Sequence, residues 1–252
     1  MKFLGIIPAR YASIRFLGKP LCDMLGKPMI QRVYEQVQYT VDLLYVATDD
    51  ARIEAAVKAF GGNVIMTSSL HHSGTDRCFE AYSKIGDGHD IVINIQGDEP
   101  FIQPEQIELL KKCFLISDTQ IATLVKPFDP ACDFEQDLLN PNSPKVVISQ
   151  NREALYFSRS IIPYIRGCES AKWLDSGMFY KHIGLYAYRA AVLKAIVNLP
   201  QSPLELAESL EQLRWLDNGY KIKVAITQQE TMGIDTPEDM ERALAFLSER
   251  NR

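Results

Sequence analysis

Two sets of charged residues in this sequence could do chemistry together. The first is cationic. Residues 8–19 read PARYASIRFLGK, which places Arg10, Arg15 and Lys19 in one short stretch, and no acidic residue occurs before Asp23. Two guanidinium groups, an ammonium and the backbone N–H groups of a loop rich in small residues would suit a triphosphate. The same charges on an exposed loop would equally be a solvated basic run. Neither G-x-x-x-x-G-K-[ST] nor G-x-G-x-x-G is present, so the stretch is neither a P-loop nor a dinucleotide fingerprint. The second set is anionic. IVINIQGDEP (91–100) runs from an apolar strand pattern straight into Asp98, although Gly-Asp ahead of Pro is also ordinary turn chemistry. In GIDTPEDM (233–240), Pro237 at a first helical position makes Thr236 the N-cap, which leaves Asp235 without a capping duty. A site of one or two carboxylates from distant segments, with no clustered His or Cys, suits Mg2+ rather than zinc. Magnesium so held neutralises phosphate charge.

The elements that must position these groups alternate in type. Residues 3–7 (FLGII) read as a strand buried on both faces, and residues 29–38 as a helix. Strands at 43–47, 63–66 and 91–95 follow. Helices lie between them at 51–60, ended by Gly61-Gly62, and near 75–84, and Pro104 opens another through about 115. This order predicts an α/β fold with a mostly parallel central sheet flanked by helices. Ligands bind outside the carboxyl ends of the strands of such sheets, which selects the residues after the first and fourth strands.

The pattern weakens in the middle third, and residues 121–190 read as a smaller lobe within a single 1–252 domain. A strand at 182–188 would put His182, Gly184, Tyr186 and Tyr188 on one face, a polar platform around a glycine, although a lone strand histidine is commonly a satisfied structural residue. Ser202-Pro203-Leu204-Glu205 is a capping box that starts a helix running to Asn218-Gly219. Its apolar side would be Leu206, Leu210, Leu213 and Leu216 or Trp215. Glu208, Glu211 and Gln212 then fall on or beside a face that could simply be solvated. Ser73-Gly-Thr-Asp76 is a second capping box, and a helix N-terminus is itself a site for anions or polar groups.

Composition sets outer bounds. The net charge of −5 supplies no global basic field for nucleic acid, so an anionic ligand needs a local cluster of cations. Five scattered cysteines without a C-x-x-C pair argue against a disulfide framework and fit a reducing cytoplasm. No stretch approaches the ~20 apolar residues of a membrane span, and the short apolar start reads as a strand rather than a signal peptide.

IIPARYAS with Arg15 and GKPL resembles the signature of the 3-deoxy-manno-octulosonate cytidylyltransferases. The resemblance continues in order through HHSGTDR (71–77), NIQGDEP (94–100), LYFSRSIIP (155–163), HIGLYAYR (182–189), SPLELAESLEQLR (202–214) and GIDTPEDME (233–241), across nearly the whole chain. The first loop departs from the family pattern at Ile14, Phe16 and Leu17, none of which removes a charge. The resemblance implies a nucleotide-diphosphosugar transferase fold and transfer of CMP from CTP to 3-deoxy-D-manno-octulosonate (Kdo). It assigns Pro8, Ala9, Arg10, Ser13, Arg15, Lys19, Ser73, Thr75, Arg77 and Gln96 to the nucleotide. Arg10, Arg15, Lys19 and Asp98 become catalytic, and Asp98 and Asp235 the Mg2+ ligands. Arg159, His182, Tyr186, Glu211 and Gln212 go to the sugar, with Arg159 for its carboxylate. The resemblance also implies a homodimer through the smaller lobe. The rival readings are a cytidylyltransferase for a sialic acid or a sugar-alcohol phosphate, a non-catalytic nucleotide-binding module, and a glycosyltransferase. A D-x-D pair after the fourth strand would suggest the last; Gly97-Asp98-Glu99 stands there instead.

Overall fold

The structure, a computed structural model, describes residues 1–12 and 16–250. The expected positions Ser13 and Arg15 lie outside the described residues. The chain divides into two compact units, one formed by Met1–Ile107 with Thr231–Arg252 and the other by Glu108–Glu230.

The first unit is built on four parallel strands. β1 (Phe3–Ala9) lies between β2 (Leu43–Thr48) and β4 (Ile91–Asn94), and β3 (Val64–Met66) extends the sheet beyond β2. Leu4, Ile6 and Ile7 of β1 are completely buried, which is why the sequence shows an apolar run rather than an alternation. Three crossover helices join these strands: α1 (Met29–Val37), α2 (Ala51–Ala59) and α3 (Gly74–Ile85). Asp50 caps α2, and the Ser73–Asp76 capping box forms at α3 with both of its bonds present. α4 (Pro104–Cys113) then carries the chain from the first unit into the second.

The second unit holds β5 (Ile121–Pro127), β6 (Lys145–Ile148), β7 (Ala154–Ser158), β8 (Tyr180–Arg189), α5 (Ala190–Ile196), α6 (Pro203–Glu208), α7 (Gln212–Asp217) and β9 (Ile222–Ile226). Its sheet is mixed. β5 pairs antiparallel with β8 and parallel with β9, and β6 pairs antiparallel with β7 and β8. This unit is longer at both ends than the 121–190 stretch of weak periodicity, and at its C-terminal end the extension is β9, which hydrogen-bonds to β5. Leu138, Trp173, Leu174 and Phe179 form a small core of their own within it.

The helix expected from Pro203 to Asn218 is broken. Ser209 takes a left-handed conformation (φ 50°), which ends α6, and α7 restarts at Gln212. The interruption re-phases the faces. Leu206, expected inward, is 62% exposed, whereas Gln212, expected on the polar side, is buried. A bidentate ion pair joins the two halves: Arg214 Nε and Nη2 donate to the Glu205 carboxylate at 2.8 and 2.5 Å, both side chains being about nine-tenths buried.

α8 (Pro237–Arg250) returns the chain to the first unit. Its Met240 and Ala243 pack with Ile234, Met24, Met29 and Phe101. Among the described residues no helix is long and apolar enough to cross a membrane.

Candidate active site

The carboxyl ends of β1 and β4 open into a cleft of roughly 440 Å³ in the first unit, a volume in the range of small-molecule sites. Pro8, Ala9, Arg10, Lys19, Ser73, Arg77, Gln96, Asp98 and Asp235 all line it. Backbone geometry explains how segments so far apart in sequence converge. Gly97 lets the turn after β4 pass close to β1, since a Cβ there would sit 2.8 Å from the Pro8 carbonyl oxygen. The next residue, Asp98, then accepts a hydrogen bond from the Ile234 N–H at 2.9 Å through its backbone carbonyl, which docks the Asp235 segment beside it. Thr236 and Asp239 exchange capping bonds at the start of α8, so Thr236 takes the cap and Asp235 does not.

Lys19 sits at the centre of the acidic side. Its Nζ donates to Asp98 Oδ2 at 2.7 Å and to Asp235 Oδ1 at 3.3 Å. One cation already bridges the two carboxylates, so their spacing suits a shared positive ion. Two carboxylates completed by substrate phosphate is the usual protein contribution to a magnesium site, and Asp98 and Asp235 fit that donor set. Lys19 is nearly buried, held by a short 3-10 turn that starts after Gly18. Gly18 has φ 72°, and a side chain there would strike the Tyr11 ring. The Gly18 N–H also donates to the Tyr11 carbonyl at 2.9 Å, which closes the base of the basic loop. The Arg52 guanidinium lies 3.3 Å over the Tyr11 ring centroid, a cation–π contact that anchors the same point.

The opposite wall comes from the start of α3. Ser73 is occupied as the N-cap, accepting from the Asp76 N–H at 3.1 Å. Thr75 is buried in the first turn and does not line the cleft. Arg77 is almost fully buried, and its guanidinium donates to Thr67 Oγ1 at 2.6 Å and Asp49 Oδ2 at 3.3 Å. His71 and His72, the two histidines that open HHSGTDR, also line the cleft. Their place directly before the α3 cap was the available signal. His71 is paired with Glu80, which also accepts from the Ser68 N–H and Lys84.

The five residues expected to bind sugar lie in the second unit. His182, Tyr186 and Tyr188 share a face of β8 as expected, although a bulge opposite Thr123–Leu124 interrupts the strand at Gly184-Leu185. The bulge inserts two residues, so the alternation of faces is preserved. The His182 ring packs edge-on to Phe157 and tilted to Tyr186, and burial pushes its pKa down to about 3. The Thr123 hydroxyl lies 2.9 Å from the Leu185 carbonyl oxygen, 3.2 Å from that of Ile183 and 3.1 Å from His182 Nε2, which ties the imidazole to β5. Burial also raises the Tyr186 phenol well above its ordinary value. The Gln212 amide nitrogen is buried without a hydrogen-bond partner among the described residues, and the Tyr186 hydroxyl has the Thr123 hydroxyl as its neighbour.

Arg159 is held more firmly than its exposure in the sequence pattern suggests. Nε donates to the Glu208 carbonyl at 2.6 Å, Nη1 to the Pro141 carbonyl at 2.8 Å and Nη2 to the Ser209 carbonyl at 3.3 Å. Two of its five N–H groups remain beyond these bonds. Glu208 is not a solvated-face residue either: its carboxylate accepts from Ser158 Oγ at 2.6 Å and from the Arg159 N–H at 2.8 Å. Glu211 lies 3.8 Å from Arg214.

A parallel α/β unit whose strand ends open into a cleft lined by Arg10, Lys19 and Arg77 beside the Asp98–Asp235 pair has the layout of a nucleotidyltransferase. The cytidylyltransferase family model matches residues 4–222. The chain is 73% identical over 250 residues to the 3-deoxy-manno-octulosonate cytidylyltransferase of Parabacteroides distasonis, covering 99% of this chain and 100% of that one. It is 65% identical over 251 residues to the protein of the same name from Bacteroides thetaiotaomicron, with both chains covered in full. A solved CMP:2-keto-3-deoxy-manno-octonic acid synthetase complexed with CTP superposes with a TM-score of 0.89 at 44% identity, over 99% of this chain and 100% of that one. The chain belongs to the 3-deoxy-manno-octulosonate cytidylyltransferase family.

Proposed function

We infer that this chain transfers CMP from CTP to Kdo, giving CMP-Kdo and pyrophosphate, the activated sugar for lipopolysaccharide synthesis. The observation that carries this reading is the Lys19 ammonium held between Asp98 and Asp235 in a cleft at the strand ends, in a chain 73% identical to a named 3-deoxy-manno-octulosonate cytidylyltransferase.

The anomeric C2 hydroxyl of Kdo attacks the α-phosphorus of CTP in line. An oxygen–phosphorus bond forms, the bond to the β-phosphate oxygen breaks, and the hydroxyl proton leaves to solvent. Arg10, Arg15 and Lys19 bind the phosphates and stabilise charge on departing pyrophosphate. Ser73, Arg77 and Gln96, which line the cleft, belong to the nucleoside side, and Thr75 beneath them does not. Asp98 and Asp235 would hold magnesium, which when bound supplies charge neutralisation at the α-phosphate and acidifies the attacking hydroxyl. Arg159 meets the Kdo carboxylate with its two uncommitted N–H groups, and His182, Tyr186, Glu211 and Gln212 take sugar hydroxyls. No covalent nucleophile is required.

The reading extends to a cytoplasmic homodimer. Five free thiols support a reducing compartment. Exposed Leu155, Tyr164 and Met178 in the second unit supply apolar surface for a partner copy, which sedimentation would detect. The test of function is pyrophosphate release across four nucleoside triphosphates and several sugar acids, with and without magnesium. Release confined to CTP, Kdo and magnesium is expected. Equal release with a sialic acid, or none with any pair, would overturn the reading.

A further inference from the structure

β2 ends at Thr48, and the residue that follows it, Asp49, faces Arg77. The pair is an ion pair between side chains that are 18% and 5% exposed. Arg77 lines the cleft and Asp49 does not. The guanidinium is fixed from two sides: Nη2 donates to Asp49 and Nη1 to Thr67 Oγ1. Thr67 is itself tied to the end of β2, since its N–H donates to the Thr48 carbonyl at 2.8 Å and its hydroxyl approaches the same oxygen at 3.2 Å. A guanidinium this deeply buried needs a counter-charge and a defined set of acceptors, and Asp49 is the carboxylate that pairs with it. The neighbouring aspartate has a different duty. Asp50 caps α2, accepting from the Arg52 N–H at 2.9 Å, so the turn after β2 does not need Asp49 as a cap.

We propose that Asp49 is a positioning residue for the nucleotide site, holding the Arg77 guanidinium on the cleft wall so that its uncommitted N–H groups meet CTP, which Asp49 itself never touches. The proposal rests on the reading that this cleft takes CTP. It adds the carboxyl end of a third parallel strand to the two that already build the cleft, and it assigns chemistry to a residue outside the lining.

The test is direct CTP binding by titration calorimetry, combined with steady-state kinetics in which each substrate is varied in turn. Asp49→Asn keeps shape and one acceptor oxygen but removes the charge, and Asp49→Ala removes both. Loss of a charge-assisted hydrogen bond predicts CTP binding weaker by about tenfold in Asp49→Asn and about ten- to a hundredfold in Asp49→Ala, with the KM for Kdo unchanged. Because Asp49 acts through Arg77, the double variant Asp49→Ala/Arg77→Ala should bind CTP no more weakly than Arg77→Ala alone. An aspartate needed only for folding would lower the Tm of Asp49→Asn while its folded fraction bound CTP as the wild type does, and that result would overturn the proposal. If Arg77→Ala bound CTP normally, the proposal would fall while the cleft reading stood. If the wild type itself failed to bind CTP, the cleft reading would fall first.

Discussion

Lys19 Nζ lies 2.7 Å from Asp98 Oδ2, an ion pair between residues 79 positions apart, and Asp235 approaches the same nitrogen at 3.3 Å. A divalent cation held by the same two carboxylates would compete with this ammonium. Lys19→Met should bind Mn2+ more tightly than the wild type in the absence of nucleotide, by about tenfold or more, because a competing charge-assisted bond is gone. The same variant should lose turnover. Paramagnetic resonance of titrated Mn2+ reads the first effect directly. Unchanged metal affinity would show that Lys19 does not compete for the site. Asp98→Asn and Asp235→Asn should each weaken Mn2+ binding in the same assay.

Ser73 has a structural task that can be separated from any nucleoside contact. Its hydroxyl accepts from the Asp76 N–H, and the Asp76 carboxylate bonds back to the Ser73 N–H at 3.3 Å. Ser73→Ala should lower stability by ~1 kcal/mol, the usual value of an N-cap, measured by urea unfolding. CTP affinity that falls further than this accounts for would assign the hydroxyl to the nucleotide as well.

His182 predicts an acid limb in stability. Its pKa is about 3 in the folded chain because it is buried, against an ordinary value near 6.5. Between these values the unfolded chain binds a proton that the folded chain does not, so stability falls as pH drops from about 6.5 toward 3, by roughly 1.4 kcal/mol per pH unit. Glu80 acts in a lower window. Burial works against its ionisation, but hydrogen bonds from Lys84, the Ser68 N–H and His71 outweigh that and hold the carboxyl at about 2. Its stabilisation is present above about 4.5 and lost as pH falls toward 2. Denaturant midpoints between pH 7 and 4.5 should decline in the wild type and flatten in His182→Gln. An unchanged slope in that variant would place the limb elsewhere.

Glu205 and Arg214 join α6 to α7 across the break at Ser209. Removing one partner of so buried a pair leaves an uncompensated charge, and Glu205→Ala should cost about 3–5 kcal/mol. Replacing both residues with apolar ones of similar volume should be far milder. A small loss in the single variant would mean that water reaches Arg214.

Where local chemistry decides structure, the sequence was informative. The apolar run of β1, the Gly61-Gly62 stop, both capping boxes and the Pro237 start all appear where residue type demands them. The carboxyl-end rule pointed to the Lys19 loop and to Asp98. The end of β2 carries no such signal, because Asp49 stands beside a second aspartate and meets Arg77 only in the folded chain. Strands β5, β6 and β7 were not distinguished, because they lie in a region rich in Pro, Asn and Ser and owe their form to pairing within a mixed sheet. The α6–α7 break was hidden for another reason. Ser209 is no helix breaker by type, and its left-handed backbone is over-determined by the Arg159 and Glu208 bonds around it.

The first unit is assembled from two pieces of chain, Met1–Ile107 and Thr231–Arg252. A ribosome working along the message makes Lys19 and Asp98 early and must then complete all of Glu108–Glu230 before Asp235 exists. The nascent protein therefore passes through a long interval in which its basic loop and first carboxylate are present but the second is not. A product terminated anywhere within Glu108–Glu230 also lacks Ile234 and Met240, so the cluster around Met24, Met29 and Phe101 is left open to solvent. Such a fragment would present core apolar surface of the kind that chaperones and proteases recognise, so its persistence in a cell should depend on whether translation has passed Asp235.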